Sequence, residues 1–227
     1  MRLHFELSPN TAKVPFNYQH FLTGVFHKWV GADNELHDRV SLYSLGWLDG
    51  GRAQGGALHF PRGARWFISA HDDAILARVV DGSLREPEVC CGMSVTAIKQ
   101  QATPDFGNRG WFRVGSPVLV RARPDARDEE NGGDKHYLYH EPEADTILTD
   151  LLRYKLHTAG LDAARKDVSV RFDRDYRTAK TKLVTIKNVQ MRASSCPVIV
   201  EGTSEAVAFA WNVGIGNNTG SGFGSLM

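Results

Sequence analysis

The sequence predicts an α+β protein made of two successive β-α-β-β-α-β units. Three observations carry this. The N-terminus alternates apolar and polar residues, with Leu3, Phe5 and Leu7 between Arg2, His4 and Glu6, which is the period of a half-buried strand. The stretch Tyr18–Val30 switches to helical period, with Phe21, Leu22, Val25, Phe26, Trp29 and Val30 on one side. The order of elements then recurs after residue 115. Two such units are two ferredoxin-like folds in tandem.

Taken in order, strand and helix are followed by a strand over 40–48, a loop or hairpin tip over 50–56, and a strand over 65–69. A helix over 71–80 ends at Asp81–Gly82. The run 87–101, rich in Val, Thr and Ile, reads as one strand. The second unit starts with a strand over 118–121. The polar stretch 123–134 is a surface excursion, and 136–139 returns as a hairpin partner. A helix over 142–160 carries Ile147, Leu148, Leu151, Leu152 and Leu156 and stops at Gly160. Strands over 168–172 and 182–189 follow, with a hairpin arm over 197–201. Thr203 caps a helix through Ala206, Val207, Phe209 and Ala210. A glycine-rich segment comes next, and 223–227 closes a last strand. We divide the units as 1–115 and 116–227.

The chain has 227 residues and a net charge of +1, so a polyanion-binding surface must be local. The start has no apolar signal segment, and no run has membrane-span length. The three cysteines, Cys90, Cys91 and Cys196, make no C-x-x-C. They predict neither a disulfide framework nor a zinc site; they read as buried small residues, with the cytoplasm as expected compartment. Between Arg165 and Arg192 nine Lys/Arg face three Asp. This stretch, with Arg171, Arg174, Lys180, Lys182, Lys187 and Arg192, is the candidate track for a phosphate backbone.

The segment Gly214–Gly224 reads GIGNNTGSGFG. Five glycines there cost backbone entropy that close packing or ligand contact must offset. The segment follows a helix and precedes a strand. Dinucleotide and P-loop motifs have the opposite order, and no G-K-[ST] is present.

Written as spacing, the segment is G-h-G-x5-G-h-G, with h a hydrophobic residue. At the end of a tandem ferredoxin-like chain this resembles the repeat-associated RNA-binding superfamily of CRISPR systems. MRLHFELSPN followed by VPFNYQHFLTGVFHKWV resembles the opening of the CRISPR repeat-RNA processing endoribonucleases, the sixth Cas family. The resemblance covers both ends of the chain and the element order between them. It implies CRISPR repeat RNA as partner and cleavage without a metal ion or other cofactor. The implied chemistry is attack of a ribose 2′-OH on the adjacent phosphate, giving 2′,3′-cyclic phosphate and 5′-OH ends. It leaves room for a CRISPR effector complex and for a homodimer.

Leu36-His37-Asp38 matches the context of the family's main catalytic histidine. His27, on the first helix where many relatives carry tyrosine, is its expected partner. An imidazole titrates near neutrality, so two histidines can divide the base and acid roles. Arg39 lies where some relatives have a lysine that neutralises phosphate charge. Gly214, Gly216, Asn217, Asn218, Gly220, Gly222 and Gly224 are expected to meet the RNA backbone. Two rivals are a non-cleaving RNA-binding subunit of the same superfamily and a small-molecule enzyme on the same fold.

Overall fold

The computed structural model describes residues 1–31, 36, 39–122, 135–186 and 188–227. The expected His37, Asp38 and Lys187 and the excursion 123–134 therefore lie outside the described residues.

The first half builds one five-stranded sheet. Its elements are β1 (Arg2–Leu7), α1 (Gln19–Val30), β2 (Tyr43–Leu45), the hairpin β3 (Arg52–Gln54) with β4 (Ala57–His59), β5 (Ala64–Ala70), α2 (Asp73–Arg85), β6 (Glu88–Cys90) and β7 (Met93–Gln101). The sheet order is β2-β5-β1-β7-β6, with β1 antiparallel to both neighbours. Leu3, Phe5 and Leu7 face a core filled by Leu22, Phe26, Trp29, Trp66, Ile68, Leu76 and Val79.

Two sequence expectations are corrected here. The second helix does not stop at Gly82 but runs to Arg85. Gly82 is where α1 and α2 touch: a Cβ on it would lie 2.4 Å from the Trp29 carbonyl oxygen. The run 87–101 is two strands, β6 and β7. Cys91 (φ 51°) and Gly92 (φ 76°) turn the chain between them in the left-handed region. A third expectation changes in detail. Phe21 is 38% exposed and lies outside the apolar stripe of α1, with the His20 ring centroid 4.0 Å from its own.

The second half contains β8 (Arg109–Phe112), β9 (Val120–Ala122), β10 (Lys135–Tyr137), α3 (Glu143–Thr158), β11 (Ser169–Phe172), β12 (Lys180–Ile186), β13 (Val189–Ser195), β14 (Val198–Glu201), α4 (Ser204–Val213) and a 3-10 turn over Thr219–Ser221. β9 and β10 pair and bracket 123–134. β12 and β13 form a long hairpin. β11, β14 and β8 form a three-stranded sheet. The Thr203 hydroxyl accepts a hydrogen bond from the Ala206 N–H at 3.1 Å, the expected N-cap of α4. Phe112, Leu148, Leu152, Phe172, Val200, Val207 and Phe209 belong to the second core.

The predicted last strand over 223–227 is not a ladder. Gly222 and Gly224 adopt φ 83° and 60°, which interrupts extended pairing, and the segment meets 113–119 through an isolated bridge, Val114 with Leu226. The edge beside β14 is filled instead by β8. The sequence reading missed β8 although Gly110 and Phe112 are buried while Arg109 and Trp111 are exposed.

The halves are joined by polar contacts as well as packing. Arg2 is 3% exposed. It donates to Ser69 Oγ at 2.6 Å, to the Trp211 carbonyl at 3.2 Å and to the Leu226 carbonyl at 2.6 Å. Its guanidinium lies between the rings of Phe67 (4.2 Å) and Trp211 (3.6 Å). Burial pulls it down to about 9, so it is still charged at neutral pH. Trp47 of the first half donates through Nε1 to the Gly222 carbonyl at 2.7 Å. A small cluster of Leu119, Val184, Met191, Ala193 and Phe223 packs against the same indole. Among the described residues no helix is long and apolar enough to cross a membrane.

Candidate functional site

The glycine-rich segment answers the entropy question in a specific way. The four signature glycines, Gly214, Gly216, Gly222 and Gly224, have φ of 70°, 76°, 83° and 60°, a region in which only glycine is free of steric cost. Three of them also face backbone. An added Cβ would lie 2.6 Å from the Gly224 oxygen at Gly214, 2.4 Å from the Leu119 oxygen at Gly216, and 1.9 Å from the Ile215 oxygen at Gly224. At Gly222 the nearest atom is 3.6 Å away. Gly220 packs on the first half, where a Cβ would lie 2.7 Å from the Tyr43 hydroxyl.

The N–H groups of Ile215, Asn217 and Gly224 donate to Gly224, Leu119 and Pro117 carbonyls at 2.8–2.9 Å. The segment is thus a folded knot against both halves, and its glycines are buried. It reaches the surface at Asn217, Asn218 and Ser221, which are half-buried. Asn217 Oδ1 accepts from the Arg121 N–H at 2.9 Å. Asn218 itself is left-handed, with φ 56°.

Next to this knot is a cavity of about 250 Å³. Arg39 and Ser41 form one wall, Leu151, Tyr154 and Lys155 of α3 a second, and Gly216–Thr219 a third. Arg39 is exposed. α1 packs against the 3-10 turn Thr219–Ser221, which brings the element carrying His27 to the same knot. His27 is half-buried, with its ring 5.3 Å from that of Phe26, so it is not a plain surface helix residue. His20 donates through Nδ1 to the Asn17 carbonyl at 2.7 Å.

A second, larger cleft of about 730 Å³ runs between the halves. Arg2, His4, Arg65, Gln101, Arg113 and Trp211 contribute to its walls. His4 Nε2 and Gln101 Oε1 are 2.7 Å apart. Arg65 is paired with Asp49.

Among the described residues, the basic side chains do not form one row. Lys180 and Lys182 share a face of the β12–β13 hairpin. Lys182 holds its ammonium 4.8 Å from the Trp47 ring centre, and burial lowers its pKa. Arg192 sits opposite Leu183, on the other face. Arg171 is exposed on β11, in a different sheet. Arg174 is tied to α3, donating to Asp145 Oδ2 at 2.6 Å and to the Glu141 carbonyl at 3.1 Å.

Sequence reasoning missed Lys155, Arg2, His4 and Arg113. The alternation of β1 places Arg2 and His4 on the face away from the first core, and that signal was legible. Lys155 lies one residue before Leu156 of the apolar stripe of α3, and nothing local marks it as buried.

A sequence profile described as CRISPR-associated protein Cas6, C-terminal, matches residues 101–227. The chain belongs to the Cas6 family. No curated protein matches by sequence. Among solved structures, a Cas6-related gene product from Pyrococcus furiosus superposes with a TM-score of 0.85 at 20% identity, over 100% of this chain and 97% of its own. An RAMP protein described as binding different RNA substrates gives 0.84 at 19% identity, over 100% and 98%. A Cas6 product complex gives 0.65 at 15%, over 100% and 98%. At these identities the likeness is one of fold: a mixed α/β chain of the tandem ferredoxin-like type found in Cas6 structures. In Cas6 terms, the matched region begins within β7 and includes the whole glycine-rich knot.

Proposed function

We propose that this Cas6-family chain is a metal-independent endoribonuclease that cuts CRISPR precursor RNA within its repeats. The observation that carries the reading is the placement of Arg39 and the tip of the glycine-rich segment around one cavity, with the helix bearing His27 packed on the same segment.

The reaction follows from the groups assigned. A base takes the proton of the ribose 2′-OH. The freed oxygen attacks the adjacent phosphorus, and an acid gives a proton to the departing 5′-oxygen. One P–O bond forms and one breaks, leaving a 2′,3′-cyclic phosphate and a 5′-OH. His37 and His27 carry the two proton transfers, each worth about 10²–10⁴-fold. Arg39 offers two parallel N–H donors to the phosphate oxygens. Lys180, Lys182, Arg192 and Arg171 hold RNA backbone on separate surfaces, with Lys187, Asn217 and Asn218 as further contacts. The requirement for a 2′-OH restricts the reaction to RNA.

The proposed division of the chain, 1–115 and 116–227, makes β8 a strand that the first unit lends to the second unit's sheet. A place in a CRISPR effector complex and a homodimeric state are further proposals. Light scattering of the purified chain, alone and with RNA, tests the second of these.

The deciding experiment incubates repeat RNA from the same genome's CRISPR array with the wild-type chain in EDTA. Scission to cyclic-phosphate ends supports the proposal, and scission that stops on magnesium removal refutes it. RNA that is bound tightly but left intact assigns the chain to the non-cleaving RNA binders, a reading favoured by its likeness to the RAMP protein.

A further inference from the structure

Lys155 is 6% exposed. Its ammonium donates to Thr219 Oγ1 at 3.0 Å and to the carbonyls of Val213 and Gly214 at 3.4 Å. All three acceptors are neutral. No carboxylate lines the adjoining cavity among the described residues. A buried cation with only neutral acceptors is expensive to keep, because three weak dipoles do not replace its hydration. A neutral side chain of similar shape would pack there at lower cost. The arrangement makes physical sense if a negative group completes it from the open side.

The cavity wall fits such a group. It is about 250 Å³, roomy enough for a tetrahedral anion. Arg39 borders it on one side, and Ser41, Tyr154 and Asn217 also line it. We propose that this cavity seats a phosphodiester of bound RNA, with the Lys155 amine beneath it supplying the counter-charge once the phosphate is in place. This rests on RNA being the ligand, as proposed above, and adds a group that the sequence did not single out. Lys155 is a positioning residue: it ties the end of α4 to Thr219 and holds the phosphate's seat.

The seat has a measurable consequence. Burial pulls Lys155 down to about 7 in the free protein, so near pH 8 much of it is neutral. A phosphate close by favours the charged form. RNA binding then draws a proton from solution. Among the described residues, the other titratable groups at this spot are Arg39 on its segment, Tyr154 on α3 and Tyr43 on β2. Burial raises the pKa of the Tyr43 phenol, so it stays neutral near pH 8. α4 and the glycine-rich segment contribute no titratable side chain to these contacts.

The test is calorimetric titration of the full chain with repeat RNA carrying 2′-O-methyl groups, so that binding proceeds without scission. Titrations at pH 8 in two buffers of different ionisation enthalpy give the protons taken up. Lys155→Gln keeps an N–H donor and removes the charge; Lys155→Met removes both. The expected result is proton uptake by wild type that is reduced in both variants. Affinity should fall about tenfold, and the salt slope should drop by about one. Uptake that persists unchanged in Lys155→Gln belongs to the histidines and overturns the proposal, as does an unaltered affinity and salt slope. If a variant fails to fold, absence of proton uptake by the wild type alone still overturns it. Failure of the wild type to bind either this RNA or its unmodified form defeats RNA as the ligand, a separate result.

Discussion

Under the proposed reaction, single side chains divide into those that would move protons and those that hold charge in place. His27→Ala is expected to lower the cleavage rate by about 10²-fold or more with RNA affinity retained, measured by single-turnover kinetics; His37→Ala should do the same. Unchanged rates in both variants would remove the histidines from the reaction. Arg2 is of the holding kind. Arg2→Ala leaves the Trp211 and Leu226 carbonyls without their donor, which costs about 1–3 kcal/mol for each buried group, so urea denaturation should show a marked loss. Lys155 gives stability a pH dependence of defined sign. Its folded pKa is about 7 against an ordinary 10.5. Between these values the unfolded chain holds the proton that the folded chain has released, so stability rises with pH across this window. Lys155→Met should flatten that rise when unfolding is compared at pH 7 and pH 9.

At the scale of elements, the glycine-rich segment makes graded predictions. Gly224→Ala combines a left-handed φ with a Cβ 1.9 Å from the Ile215 oxygen. It should cost more than about 3 kcal/mol or prevent folding, beyond the 1–2 kcal/mol of the left-handed strain itself. Gly222→Ala meets no atom within 3.5 Å, so only the conformational strain of about 1–2 kcal/mol applies. Gly24→Ala, in α1 with nothing within 4 Å, should instead stabilise by about 0.5–1 kcal/mol. Thermal melts of the three variants should rank in that order. The ranking was not readable from the sequence, where all the glycines look alike. β8 was hidden for a related reason. Four residues of alternating exposure are too short to stand out, and only pairing with β14 makes them a strand. α2 was read too short because Gly82 looks like a stop, when it is the contact point of two helices.

Over the whole molecule, binding of a polyanion by a chain of net charge +1 depends on where charges are left unpaired. Lys180→Ala and Arg192→Ala should each weaken RNA binding whatever the sequence bound and lower the salt slope by about one. Arg174→Ala should leave the slope unchanged, because its guanidinium is committed to Asp145 and the Glu141 carbonyl. Binding measured across a series of salt concentrations checks both. The sequence located the basic stretch but not this division of labour, since strand pairing decides which face each residue takes.

The chain's own pattern of apolar residues, turns and caps was sufficient to determine the α+β class and the placing of its helices between strands. Those properties depend on periodicities of 2 and 3.6 residues and on local steric preference, all of which are written in neighbouring positions. Tertiary structure alone decided that Arg2 fastens the two halves, that three of the four signature glycines abut carbonyls, and that Lys155 lies under a cavity beside Arg39. These are meetings of residues up to 224 positions apart. Burial and electrostatics act on distance in space, and distance along the chain carries no record of it.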